Sequence, residues 1–143
     1  MNFWDSSAIL PLLVAESGTA EMRVLYQAQP EMVAWWGAPV ECTSALARLE
    51  REGKLDALAV GRAQRQLKFL QDQWHEVQPV ELVRQTAQRL LRVHPLRAAD
   101  ALQLASAVVV CDHRPQTWGF VCLDDRLSAA AEREGFQLRP GQE

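Results

Sequence analysis

Cysteine is scarce in this chain, and what there is does not pair. Cys42, Cys111 and Cys122 are an odd number with no CxxC spacing, and each lies among apolar neighbours. That pattern excludes a disulfide framework and fits a reducing compartment. Long apolar runs are missing too. Ala8–Ala15 and Ala101–Cys111 are the longest apolar-rich stretches, far short of the roughly 20 residues that cross a bilayer. The start, Met1-Asn2-Phe3-Trp4-Asp5, has neither the basic nor the apolar segment of a signal peptide. A cytoplasmic protein with no membrane association is therefore expected. There is no excess of basic charge: 15 Lys and Arg stand against 18 Asp and Glu. This excludes a polybasic binder that lives on many phosphate contacts. It leaves room for an enzyme gripping a short stretch of nucleic acid, because bound metal offsets acidic clusters. Histidine is as thin, and His75, His94 and His113 share no ligand spacing. Cys111-Asp112-His113 reads as a chance cluster at a helix end.

What is present is the composition of a self-sufficient domain. Apolar residues form 48% and charged residues 23% of 143 residues, enough to hide about 68–70% of the unfolded surface without staples. Seven glycines and seven prolines fall between patterned segments, with no linker or repeat. One domain over residues 1–139 is expected, with 140–143 as a polar tail and fraying from Arg139 onward.

Hydrophobic spacing predicts strands at Asn2–Trp4, Met32–Trp35, Glu76–Pro79, Gly119–Leu123 and Phe136–Leu138. Helices are predicted over Ser7–Ala15, Thr19–Gln29, Gly37–Glu52, Asp56–Trp74, Val80–Val93, Leu96–Cys111 and Asp125–Glu134. Pro39 suits the first turn of its helix, Gly53 its C-cap, and Gly135 the end of the last helix. Such alternation implies an α/β fold, a parallel sheet covered on both faces. Ligands of such sheets bind at the carboxyl ends of the strands.

Four acids fall in telling places. Asp5 and Asp124 each follow a strand and precede a helix. Helix capping explains either one alone. Together they would share one edge of the sheet. Asp100 lies on an almost wholly apolar helix, past the expected capping position, where an ionised carboxylate is costly unless paired or metal-bound. A salt bridge to Arg97 is the plain alternative. Glu41 sits near the third position of its helix, where a charge–dipole interaction or half a capping box is the plain account. It borders Cys42, Ala45, Leu46 and Leu49 rather than a charged stretch. If the four converge, two carboxylates about 4 Å apart repel by about 4 kcal/mol at an effective dielectric near 20. The cluster must then take up protons or bind a cation. Oxygen donors select Mg²⁺ or Mn²⁺, which lower the pKa of a bound water and stabilise charge on attacking and leaving oxygens.

At these residues the chain resembles a PIN domain, in particular the VapC-type toxins of bacterial toxin–antitoxin pairs. Four blocks carry the resemblance over almost the whole chain, in the family's order. They are Phe3-Trp4-Asp5-Ser6-Ser7-Ala8-Ile9 with Glu16-Ser17-Gly18, and Val40-Glu41-Cys42-Thr43-Ser44-Ala45-Leu46-Ala47-Arg48. Leu96 to Ala107 around Asp100, and Phe120-Val121-Cys122-Leu123-Asp124-Asp125-Arg126-Leu127 with Gly135-Phe136, complete the set. The resemblance implies a three-layer α/β/α sandwich around a parallel sheet. It also implies Mg²⁺ or Mn²⁺ at Asp5, Glu41, Asp100 and Asp124, and hydrolysis of RNA phosphodiesters. A cognate antitoxin protein and a homodimer belong to the same expectation. Ser7 would orient a carboxylate through its hydroxyl. Cys122 stands where the family usually has Thr or Ser, and a thiol is a weaker donor. Asp125 replaces a basic or polar residue and would add charge to the site or sit at the helix start.

Rival readings are weaker. A haloacid-dehalogenase-like phosphatase needs a second Asp two residues after the first, and position 7 is Ser. A nucleotide-binding Rossmann turn needs glycines where Ser6-Ser7-Ala8 stands. A catalytically idle PIN fold serving as a protein-binding module is the rival of another class, opposed by the complete acid set. Arg48, Arg51, Lys54, Arg62, Arg65 and Lys68 would border an RNA groove or form a solvated helical face. Of the adjacent Trp35 and Trp36, strand alternation would expose one.

Overall fold

The computed structural model describes residues 1–141. Five short parallel strands form the centre: β1 (Asn2–Trp4), β2 (Met32–Trp35), β3 (His75–Val77), β4 (Gly119–Val121) and β5 (Gln137–Arg139). They are ordered β3-β2-β1-β4-β5. Seven helices connect them: α1 (Ser6–Leu13), α2 (Thr19–Ala28), α3 (Ala38–Arg51), α4 (Ala57–Gln73), α5 (Glu81–Val93), α6 (Ala98–Val110) and α7 (Asp125–Arg133). A 3₁₀ turn at Pro115–Thr117 leads into β4.

The period of two along the strands builds the three layers. Phe3, Val33, Trp35 and Phe120 face one way, into Val83, Ala87 and Leu90 of α5, Leu104 of α6 and Leu127 of α7. Their neighbours Trp4, Met32, Ala34 and Val121 face the other way, into Ile9 of α1, Met22 of α2, Cys42 of α3 and Leu67 of α4. Successive strand side chains point to opposite faces, so strands without an exposed face must be apolar throughout. Burying each large side chain contributes about 1.5–3 kcal/mol. Phe3 and Phe120 also stack across β1 and β4 with ring centres 5.6 Å apart. The edge strands β3 and β5 are short and partly exposed, which limits edge-to-edge pairing.

The strand order reverses at β1. The chain runs outward through β2 and β3, then returns to β4 on the other side of β1. The crevice at the carboxyl ends of β1 and β4 is thus the switch point, where open α/β sheets bind ligands.

Several predicted boundaries shift. The third strand is His75–Val77 rather than Glu76–Pro79, and the fourth stops at Val121, short of Leu123. The last strand is Gln137–Arg139, with Arg139 paired to Val121 instead of frayed. Gly135 adopts φ +106°, a conformation that side-chain-bearing residues rarely take, and this turn delays the strand by one residue. Residues 142 and 143 of the expected tail lie outside the described residues. The helix predicted from Leu96 starts at Ala98. His94 and Pro95 hold the preceding segment extended. His94 is buried, with Nε2 2.7 Å from Glu134 Oε2, so the link between α5 and α6 is tied to the end of α7. Trp36 is the exposed tryptophan, at 51%, and Trp35 is buried. No helix among the described residues is long and apolar enough to cross a membrane.

Candidate active site

Each of the four acids begins a helix or stands in its first turn at the carboxyl edge of the sheet. Asp5 directly follows β1 and is the N-cap of α1. Asp124 follows β4 and caps α7, accepting from Leu127 N at 2.8 Å. Glu41 lies in the first turn of α3 and Asp100 in the first turn of α6. All four line one cavity of about 320 Å³, with Ser6, Ser7, Leu10, Cys42, Ala45 and Arg48. Capping and cavity lining are therefore not alternatives for Asp5 and Asp124. A carboxylate has two oxygens, and at Asp5 the local bonds fall on Oδ2 alone.

Asp100 lies past the capping position, as expected, with Arg97 as the N-cap of α6. Because α6 starts at Ala98 rather than Leu96, Asp100 is its third residue and stands in the first turn. A charge–dipole contribution of about 0.3–1 kcal/mol is available there. The alternative of an Arg97 salt bridge does not form: among the described residues, the ion pairs leave Asp100 out.

The electrostatics are those of a crowded acid site. Burial pushes the carboxyl of Asp5 above its ordinary range, and Asp100 adds to this against the hydrogen bonds from Ser7. Burial likewise lifts Glu41 to about 7, with Asp5 and Asp100 adding repulsion and a hydrogen bond from Gln103 opposing it. Asp100 is raised by burial and by Asp124, against the pull of Arg97 and Arg126. Three acids with raised pKa values around one cavity mark a functional site more often than a structural one.

Partners fix the carboxylates. Ser7 donates its backbone N–H, at 3.1 Å, and its hydroxyl to Asp5 Oδ2. The same hydroxyl oxygen accepts from Leu123 N at 3.0 Å, which ties the end of β4 to Asp5. Cys122 Sγ lies 3.6 Å from Asp5 Oδ2 and 3.6 Å from Ser7 Oγ. It also lies 3.4 Å from the backbone oxygen of Asp124. Asp125 does not line this cavity. It lines an adjoining basin of about 380 Å³ with Arg97, Asp100, Asp124 and Arg126.

Three features escaped the sequence reading. Gln103, fully buried on α6, donates Nε2 to Glu41 Oε2 at 2.9 Å and to Ser6 Oγ at 2.8 Å. Its only sequence signal is a polar residue at i+3 from Asp100, which places both on one helix face. Arg97 and Arg126 frame the second basin. Of the six basic residues expected near an RNA groove, Arg48 alone lines the acid cavity.

The donor set suits a hard cation. The cysteines beside the cavity, Cys42 and Cys122, are buried thiols pushed up to about 12 by burial and by nearby acids. They stay protonated, and a thiol is a poor metal ligand. Carboxylate oxygens remain. Among the described residues, no group of three or more His, Cys, Asp or Glu stands close enough together to hold an ion as the side chains are placed.

No protein-family model matches the chain. It is 34% identical over 145 positions to Ribonuclease VapC45 of Mycobacterium tuberculosis strain CDC 1551 / Oshkosh, covering 98% of this chain and 95% of that protein. The same figures hold for Ribonuclease VapC49 of strain ATCC 25618 / H37Rv. Among solved structures, PAE2754 from Pyrobaculum aerophilum superposes with a TM-score of 0.67 at 19% identity, over 96% of this chain and 87% of that one. VapC20 of M. tuberculosis, described as a sarcin-ricin loop cleaving toxin, gives 0.65 at 17% identity over 91% and 95%. A toxin–antitoxin complex from Klebsiella pneumoniae gives 0.63 at 12% identity over 90% and 91%. Those structural likenesses speak for the fold. The sequence identity, sustained across nearly the whole of both chains, speaks for kinship: this protein belongs to the VapC ribonuclease family, on a PIN-type α/β/α sandwich.

Proposed function

We propose that the protein is a Mg²⁺- or Mn²⁺-dependent ribonuclease whose centre is Asp5, Glu41, Asp100 and Asp124. The carrying observation is the convergence of these four acids, from four separate helix starts, on one cavity at the switch point of the sheet. Bound there, a divalent cation would lower the pKa of the attacking water and offset charge on the phosphate.

The chain's own groups divide the remaining work. Asp5 is held by Ser7 and Cys122 through Oδ2, and Asp124 by Leu127 N through Oδ1. Each keeps a second oxygen for the cleft. Glu41 has Oε2 tied to Gln103, which leaves Oε1 to take a proton from water. Arg97 and Arg126, framing the adjoining basin, offer guanidinium groups to flanking phosphates.

The purified protein is expected to cleave single-stranded or looped RNA with Mg²⁺ or Mn²⁺, and to stop when EDTA is added. Cleavage that survives thorough chelation rules out this mechanism. Activity on phosphate monoesters alone points to a phosphatase instead.

The kinship also supports a role as the toxin of a toxin–antitoxin pair, acting in the cytoplasm and restrained by a small antitoxin protein. Growth arrest on overexpression, relieved by the neighbouring gene, is the expected result. Harmless overexpression without a partner counts against it. Half-exposed Trp36 and the exposed Val40 and Val80 support a homodimer, which light scattering reads directly.

A further inference from the structure

Gln103 is placed where packing alone would favour leucine or methionine. It is fully buried on a helix whose neighbouring residues are almost all apolar. A side-chain amide nitrogen carries two N–H donors, and both are committed: Nε2 reaches Glu41 Oε2 at 2.9 Å and Ser6 Oγ at 2.8 Å. The carbonyl Oε1 is buried with no partner. A buried acceptor without a donor is destabilising, so stability alone does not account for this residue. With Glu41 ionised the amide has one sensible orientation, because the reverse would set Oε1 against a carboxylate oxygen.

We infer that Gln103 is a positioning residue for the ribonuclease reaction, fixing the carboxylate of Glu41 between α1 and α6. Through Nε2 it joins Ser6 of α1 and Glu41 of α3 to the helix that carries Asp100. Restraining Oε2 in this way sets where Oε1 stands in the cleft. A neutral donor does so without introducing a positive charge that would compete with a cation for the acids. Gln103 itself touches no solvent and so no RNA. Its effect is confined to the chemical step and to the affinity of the acids for a divalent ion. This inference rests on reading the four acids as the active centre.

Gln103→Met keeps the length of the side chain and removes its donors. The expected kcat is about tenfold to a hundredfold lower, the usual cost of losing a partner that orients a ligand. KM for RNA is expected to stay at the wild-type value. The Mn²⁺ concentration giving half the maximal thermal shift is expected to rise by a similar factor. In EDTA the variant should melt close to wild type, because losing the orphaned Oε1 is offset by leaving Glu41 Oε2 and Ser6 Oγ without their donor. Gln103→His, which restores an N–H donor, should recover part of the lost kcat. Wild-type kcat and Mn²⁺ response in Gln103→Met would overturn the inference. So would activity and EDTA melting temperature falling together, with no recovery in the histidine variant. If wild type cleaves no RNA, the ribonuclease reading fails, while the Mn²⁺ midpoints still judge Gln103. A wild-type chain with no Mn²⁺ response overturns both.

Discussion

Asp100→Asn should lower RNA cleavage by at least about a hundredfold, the upper end of what losing a supporting partner of a metal ligand costs. The metal-free variant should nonetheless melt at the wild-type temperature or above it. Two opposed contributions decide the second result. At the third position of α6 the charge gains about 0.3–1 kcal/mol from the helix dipole. Burial and Asp124 outweigh this, because they hold the carboxyl above its ordinary range even with Arg97 and Arg126 nearby. Asparagine keeps the shape and removes the repelled charge. Sites that trade stability for function respond this way when a member is removed. Mn²⁺ at a hundredfold excess over its dissociation constant should stabilise wild type by about 2.7 kcal/mol. The variant should gain much less. If Asp100 were architecture, the variant would melt well below wild type in EDTA and Mn²⁺ would shift neither protein.

The second large effect is the loss, on metal binding, of a pH dependence seen in EDTA. Burial and neighbouring acids raise Glu41 from 4.5 to about 7, and raise Asp5 and Asp100 as well. Between those two values for Glu41, the folded protein holds a proton that the unfolded chain has released. Stability then falls as pH rises. In EDTA the melting temperature should climb as pH is lowered from about 8 toward about 5, following that window. Further acidification should reverse the trend. Burial would raise Glu134, but the hydrogen bonds from His94 and Arg89 outweigh it and hold its carboxyl below the ordinary value. The stability it contributes is lost as pH falls through that lowered pKa. With saturating Mn²⁺ the slope near neutrality should flatten, because the cation keeps these oxygens deprotonated in the folded protein and they are deprotonated in the unfolded chain as well. Melting curves from pH 5 to 8 with EDTA and with Mn²⁺ check this. Parallel slopes in the two series would mean that the ion does not bind at these acids.

Much of this was legible from residue order, for a physical reason. β1, β2 and β4 are buried on both faces, so short runs of apolar residues marked them, interrupted only by the buried Asn2 at the start of β1, and the acid after a strand marked the sheet edge. Boundaries that depend on backbone geometry were less visible. α6 begins two residues late because the His94–Pro95 segment stays extended, and that shift moved Asp100 into the first turn. β5 begins late because Gly135 turns through a positive φ. Gln103 offered only its polar character, three residues past Asp100 on an apolar helix, and nothing of its bonds. Its partners are 62 and 97 positions away in the chain, and only the packing of α1, α3 and α6 brings them within bonding distance. The same holds for Arg97 and Arg126, two helix-start residues that meet only because α6 and α7 end up side by side at the cleft.

The central claim is that these acids form a divalent-cation site, and titrating Mn²⁺ while recording its electron paramagnetic resonance tests it most directly. Free Mn²⁺ gives a sharp signal that weakens on binding. Wild-type protein should remove signal saturably at neutral pH, lose this capacity on acidification, and retain little of it in Asp100→Asn. A wild-type chain that leaves the Mn²⁺ signal untouched, while still cleaving RNA in EDTA, would contradict the account.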